Sequence, residues 1–130
     1  MRRTALATRG ASPEVVNRVI QRDGWRCIRC GQDIGGDRGL SWSLHHRRYR
    51  DGRPDSHTPQ NLITVCGAAN VDGCHGAIHA SKTEAMASGW SITRHGWADP
   101  LIQPVLVAER SRWVYLTADG RYSDTPVVAA

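Results

Sequence analysis

The chain contains four cysteines, arranged as Cys27-x-x-Cys30 and Cys66-x7-Cys74. Two residues between cysteines let both thiolates reach one tetrahedral ion at about 2.3 Å, and closed sites of this kind take four ligands. No further cysteine exists, so Cys66 and Cys74 supply the other half. A structural Zn2+ on Cys27, Cys30, Cys66 and Cys74 would tie distant segments together and support a small core. A redox C-x-x-C pair or buried free thiols are the competing readings. The spacer GAANVDG is longer than the two residues of a second C-x-x-C, yet it is small and turn-prone.

Metal is favoured over a disulfide by the compartment the sequence implies. The start, MRRTALATRGASPE, lacks the apolar stretch of about 7 to 15 residues that a secretory signal needs. No apolar run approaches the roughly 18 residues of a membrane span. A cytoplasmic chain with no membrane partner is expected, where thiols stay reduced. Its 130 residues suggest one domain over 12–130, preceded by a loose basic arm over 1–11.

Ser12-Pro13-Glu14 reads as a helix start, with a capping hydroxyl, Pro at the first position and an early acid. Val15, Val16, Val19 and Ile20 recur at helical spacing and Gly24 is a stop, which predicts a helix over 13–23. A strand is expected around Leu40 to His46 and a second over Asn61 to Cys66, separated by the polar loop RRYRDGRPDSHTPQ. From Cys74 the pattern is helical as far as a Gly89 cap. Beyond Trp90, the runs WSITR, PVLVAE and RWVYLT predict a short β meander over 90–122 with an Asp119-Gly120 turn. The class is α+β. Phe is absent, so Trp25, Trp42, Trp90, Trp97 and Trp113 are expected to pack the core with Leu, Ile and Val.

His75 and His79 stand at i and i+4, sharing one helix face in a spacing that suits two imidazoles on one metal. His45 and His46 close the first strand, where adjacent residues point in different directions. One of them can join the helix pair while the other stays a base, and strand parity leaves open which does which.

Taken together, Cys27-x-x-Cys30, His45-His46, Asn61, Cys66 and Cys74-His75-x-x-x-His79 resemble the HNH endonuclease family over residues 25–88. That resemblance implies a small ββα-metal (His-Me finger) core, zinc-bound in many members. The ending PVLV…RWVYLTADG, after a Gly-Trp step, resembles small HNH proteins of tailed phages encoded near terminase genes. The resemblance implies a metal-dependent DNA endonuclease with His46 as general base and His45 and His79 as ligands of a catalytic metal. It makes His75 a third ligand, and Asn61 the residue that pins the loop and orients the base. The implied partners are DNA and the phage large terminase subunit and portal, in the host cytoplasm. A non-catalytic zinc-ribbon module that binds DNA or terminase is the alternative. Where the family often has Gly-Gly after the His pair, this chain has Asp51-Gly52-Arg53-Pro54.

Phosphodiester hydrolysis suits these residues. Neutral His46 can accept a proton at cellular pH, and a divalent metal acts as Lewis acid and leaving-group clamp. Three imidazoles favour Zn2+, Ni2+, Co2+ or Mn2+ over Mg2+, whereas an outward His75 would favour Mg2+ or Mn2+. The formal charge is +5 and sixteen of the seventeen Lys and Arg residues are Arg. Arg47, Arg48, Arg50 and Arg53 beside the His pair are expected to hold backbone phosphates without reading bases. A solvated charge run is the plainer reading of the same residues. His57 and His95 fit no ligand spacing and read as surface histidines.

Overall fold

Ser12 caps the first helix as its position predicts: its Oγ accepts a hydrogen bond from the Val15 N–H at 3.2 Å. Pro13 opens α1 (Pro13–Arg22), with Glu14 in the first turn and Arg22 in the last. The helix ends on Asp23, and Gly24 follows at φ 68°, a conformation that costs glycine little. The computed structural model describes residues 10–48, 54–68, 71–93, 99–108 and 111–128. Most of the expected basic arm, together with Arg50, Arg53, His95 and Trp97, lies outside the described residues.

The fold is mixed α+β with two small sheets. Strands β1 (Trp42–His46) and β2 (Leu62–Cys66) pair antiparallel, Trp42 opposite Cys66 and His46 opposite Leu62. Asn61, expected to begin the second strand, instead ends a 3-10 turn over Pro59–Asn61. The helical stretch from Cys74 towards Gly89 is two helices, α2 (Gly73–Ala80) and α3 (Lys82–Ala87). They part at Ser81, whose φ of -125° and ψ of 81° leave the helical region. α2 packs on β2 and on α3. Gly89 is the expected cap at φ 74°, and a Cβ there would fall 1.9 Å from the Pro104 carbonyl oxygen.

The second sheet is the meander β3 (Val105–Val107), β4 (Arg112–Leu116) and β5 (Tyr122–Ser123), in that spatial order. Trp90 to Thr93, the described part of WSITR, do not form the expected strand. The Trp90 and Ser91 N–H groups donate back to the Ala85 carbonyl and close α3, and Ile92 makes only an isolated bridge to Arg48.

One apolar cluster joins the elements, from Val19 and Ile20 of α1 through Leu62, Ile63 and Val65 of β2 and Ile78 of α2 to Val105, Val114 and Leu116. Trp42 and Trp90 are buried in it, but Trp25 and Trp113 are each 49% exposed, against expectation. In β4 the period-two alternation turns Val114 and Leu116 inward and leaves Trp113 outside. Asp23 locks α1 to the rest, accepting from Arg22 Nε (2.8 Å), Tyr122 Oη (2.7 Å) and the Thr64 N–H (3.0 Å). No helix among the described residues is long and apolar enough to cross a membrane.

Candidate metal centres

Cys27 and Cys30 lie in the knuckle after α1, Cys66 ends β2 and Cys74 sits in the first turn of α2. Their four sulfurs lie within 4.8 Å of one another, and no disulfide joins them. Cys30 and Cys66 Sγ are 3.9 Å apart, close to the spacing of about 3.8 Å that 2.3 Å bonds around a tetrahedral ion require. The arrangement is compatible with metal binding.

The long spacer is explained by its two ends. Gly67 (φ 102°) and Gly73 (φ 58°) press backbone to backbone: a Cβ on Gly73 would fall 2.7 Å from Gly67 Cα. A Cβ on Gly67 would fall 2.1 Å from the Asp72 carbonyl oxygen. Only glycine permits that approach, and it brings Cys66 and Cys74 together so that the Cys74 N–H donates to Cys66 Sγ at 3.4 Å. Arg29, between the first two cysteines, donates from Nη1 to Cys74 Sγ (3.4 Å), pairs with Glu84 (3.1 Å) and lies over the Trp90 ring. Burial pushes the Cys74 thiol up to about 11 and raises Cys27 as well. A cation held here would displace those protons, so uptake would be pH-dependent.

A second cluster lies one residue further along α2. Ser43 and His45 share a face of β1 by strand alternation, and that face looks onto His75 and His79 of α2. The three imidazole centroids are 5.1 to 5.2 Å apart, and one nitrogen from each ring lies within 4.8 Å of the others. His45 is therefore the member of the His pair that joins the helix pair. Burial, reinforced by the neighbouring imidazoles, lowers His45 to about 3; burial and His79 lower His75 to about 4, and burial and Lys82 lower His79. Three imidazoles whose ring nitrogens converge, each disfavoured as a cation, are compatible with metal binding.

Ser43, which the sequence reading passed over, orients the cluster. Its hydroxyl donates to the Gly67 carbonyl (2.9 Å), so the 2.6 Å contact with His75 Nδ1 has the imidazole N–H as donor. His75 then carries its lone pair on Nε2. Outer hydrogen bonds of this kind are worth about 10- to 100-fold in metal affinity. Ser43→Ala is expected to lose that much at the histidine site in a chelator competition, with the cysteine site unaffected.

The lowered histidines also set an acid limit. Unfolded, both titrate near 6.5, whereas folded and without bound metal His45 and His75 stay neutral down to about 3 and about 4. Between those values the unfolded chain binds more protons, so their contribution to stability is full above about pH 6.5 and is lost progressively on acidification. Urea unfolding at about pH 7.5 and 5.5 should show a drop that shrinks in His45→Asn. Equal drops in the two proteins would contradict it.

Asn61 is fully buried and pins both sides of the intervening loop. Its Oδ1 accepts from the Arg48 N–H (2.8 Å), and its Nδ2 donates to the carbonyls of Arg48 (3.1 Å) and Ser56 (3.0 Å). His46, half-buried at the end of β1, places Nε2 3.0 Å from Nδ1 of His57. The reading of His57 as an ordinary surface histidine is corrected: it abuts the other member of the His pair.

Two of the expected phosphate-binding arginines are placed otherwise. Arg47 is 1% exposed, its guanidinium spent on the carbonyls of Gly89, Gln60, Pro100 and Gln103. Arg48 is 3% exposed and pairs with Asp55. Neither presents its charge to solvent, which removes both from that set; Arg50 and Arg53 lie outside the described residues. The chain's one lysine, Lys82, is exposed three residues after His79, at the start of α3, and acts on it electrostatically. Compared with known proteins, the chain matches no family model, no curated protein and no solved structure.

Proposed function

We propose that the protein is a metal-dependent DNA endonuclease of the HNH type, with a ββα-metal core formed by β1, β2 and α2. The observation that carries this reading is the convergence of His45, His75 and His79 beside His46, with Asn61 clamping the loop behind them. Cys27, Cys30, Cys66 and Cys74 would hold a structural Zn2+, since four thiolates suit that ion. His45, His75 and His79 would hold the catalytic divalent metal. His75 is buried and turned into the cluster by Ser43, which favours Zn2+, Ni2+, Co2+ or Mn2+ over Mg2+.

When bound, that ion supplies Lewis-acid stabilisation of charge on the phosphoryl and leaving 3′ oxygens. His46 accepts a proton from the attacking water, the water oxygen bonds to phosphorus, and the bond to the 3′ oxygen breaks. Asn61 holds the segments on which the base depends. With Arg47 and Arg48 buried, Lys82 is the described cation best placed to meet a phosphate. A role in phage DNA packaging, beside the large terminase subunit and portal in the host cytoplasm, rests on the sequence resemblance alone.

Nicking of supercoiled plasmid by the purified protein tests this reading. With Mn2+ or Ni2+, His46→Ala should be slower by about 10²- to 10⁴-fold at unchanged metal content. Equal rates would remove His46 as the base. DNA binding that survives His45→Ala and His79→Ala, with no cleavage under any metal, would mark a binding module instead.

A further inference from the structure

Ser91 belongs to two places at once. Its Oγ lies 3.3 Å from Nε2 of His45 in the imidazole cluster, and the residue also lines an open cleft of about 340 Å3. Met86, Ile92, Gln103, Pro104 and Trp113 form much of the remaining wall. A second route joins the cleft to the histidines. Lys82, three residues after His79, and Met86 stand at i and i+4 on α3 and share its face.

The lining suits a flat ligand with a polar edge. Trp113 and Met86, 49% and 50% exposed, offer an indole face and a polarizable thioether, side chains that mark contact surfaces when they stand together in solvent. Gln103 brings an amide that both donates and accepts. The walls are already fixed. Arg47 binds the carbonyls of Gly89 at 2.9 Å and Gln103 at 2.7 Å, and the N–H of Leu106, paired with Trp113 across the sheet, donates to the Ser88 carbonyl at 2.9 Å. A cleft built in advance loses little to ordering when it is filled.

A nucleobase meets each of these features: a π face for Trp113, an apolar flank for Met86 and Pro104, and a polar edge for an amide. Continuity with the histidine site favours a base of the same strand whose phosphate would lie there. Bases within a duplex are stacked on both faces and paired at the edge, so only an unpaired base can enter.

We propose that this cleft is a nucleobase subsite, in which an unpaired base of a DNA strand stacks on Trp113 beside the histidine metal centre. The inference rests on the nuclease reading and narrows its substrate class to DNA with single-stranded or frayed character near the cleaved bond.

The test uses the full-length, zinc-loaded protein and the fluorescence anisotropy of a short labelled single strand of mixed sequence, beside a strand of equal length that lacks bases. Trp113→Ala should weaken binding of the base-bearing strand by about 5- to 100-fold, and Trp113→Tyr by less than about threefold. Binding of the base-free strand, held by its phosphates alone, should change less than about twofold in either variant. Met86→Ala, on another wall of the cleft, should give the same pattern with a smaller loss. Wild-type affinity of Trp113→Ala for the base-bearing strand, or an equal loss on the base-free strand, would overturn the proposal. So would a wild-type dimer that Trp113→Ala converts to monomer at unchanged strand affinity, since the cleft would then hold a second copy. Plasmid nicking with Mn2+ or Ni2+ on the same samples separates the two readings. A wild type that binds bases through Trp113 yet never cleaves would count against the nuclease and leave the subsite standing.

Discussion

Cys74→Ser is expected to lose the tightly held zinc and, with it, cooperative thermal unfolding. The cysteines lie on three segments that one ion would cross-link: the knuckle after α1, the end of β2 and the start of α2. Structural zinc contributes about 10 to 16 kcal/mol in small domains, against a total stability of about 5 to 15 kcal/mol. A serine hydroxyl is a poor substitute for a thiolate, and the buried neighbour Cys27 exists as a thiol when no cation draws its proton away. Zinc analysis after a chelator wash should fall from one tightly held ion per chain to nearly none. A cooperative transition at the wild-type temperature in zinc-free Cys74→Ser would show that the cysteines are not a structural site.

The second large effect is expected at Arg47. Its guanidinium binds Gly89 O at 2.9 Å, Gln60 O at 2.8 Å, Pro100 O at 3.1 Å and Gln103 O at 2.7 Å. One side chain thus joins the end of β1 to the loop before β2, the cap of α3 and the approach to β3. Burial, with Arg22 nearby, lowers its pKa to about 9, so it remains a cation at neutral pH. Arg47→Met would leave those carbonyls without their donor in a site closed to water, costing about 3 to 5 kcal/mol. Arg47→Lys should rescue little, because three ammonium donors on one nitrogen cannot match the span of a planar fork. Urea denaturation measures both variants, and a loss below about 1 kcal/mol in Arg47→Met would contradict this role.

The residues that converge here were legible in sequence to the extent that their spacing is local. Cys27-x-x-Cys30 and His75-x-x-x-His79 each announce a shared direction because a knuckle and a helix have fixed periods. The α1 cap was equally plain, since Ser12-Pro13-Glu14 carries its own hydrogen-bonding logic. What the His45-His46 pair could not reveal was its division of labour, which depends on the face of β1 that α2 covers. Ser43 was invisible for the same reason.

Arg47, Arg48 and His57 were misread because a run such as RRYRDGRPDSHTPQ looks solvated when its long-range partners are unknown. The carbonyls that enclose Arg47 come from as far away as Gln103. The missing WSITR strand has a similar cause: the N–H groups of Trp90 and Ser91 turn back to Ala85 rather than forward to a ladder. The spacer GAANVDG could be explained only once Gly67 and Gly73 were seen in contact.

The central claim is that two neighbouring metal sites divide stability from chemistry. The most direct measurement is the plasmid nicking rate of chelator-washed protein, zinc retained on the cysteines, as Mn2+ or Ni2+ is added back. The rate should rise from near zero and saturate with occupancy of one exchangeable site. His79→Ala should retain its tightly held zinc and stay inactive across the titration. Nicking before any exchangeable metal is added, or at wild-type rate in His79→Ala, would contradict the division.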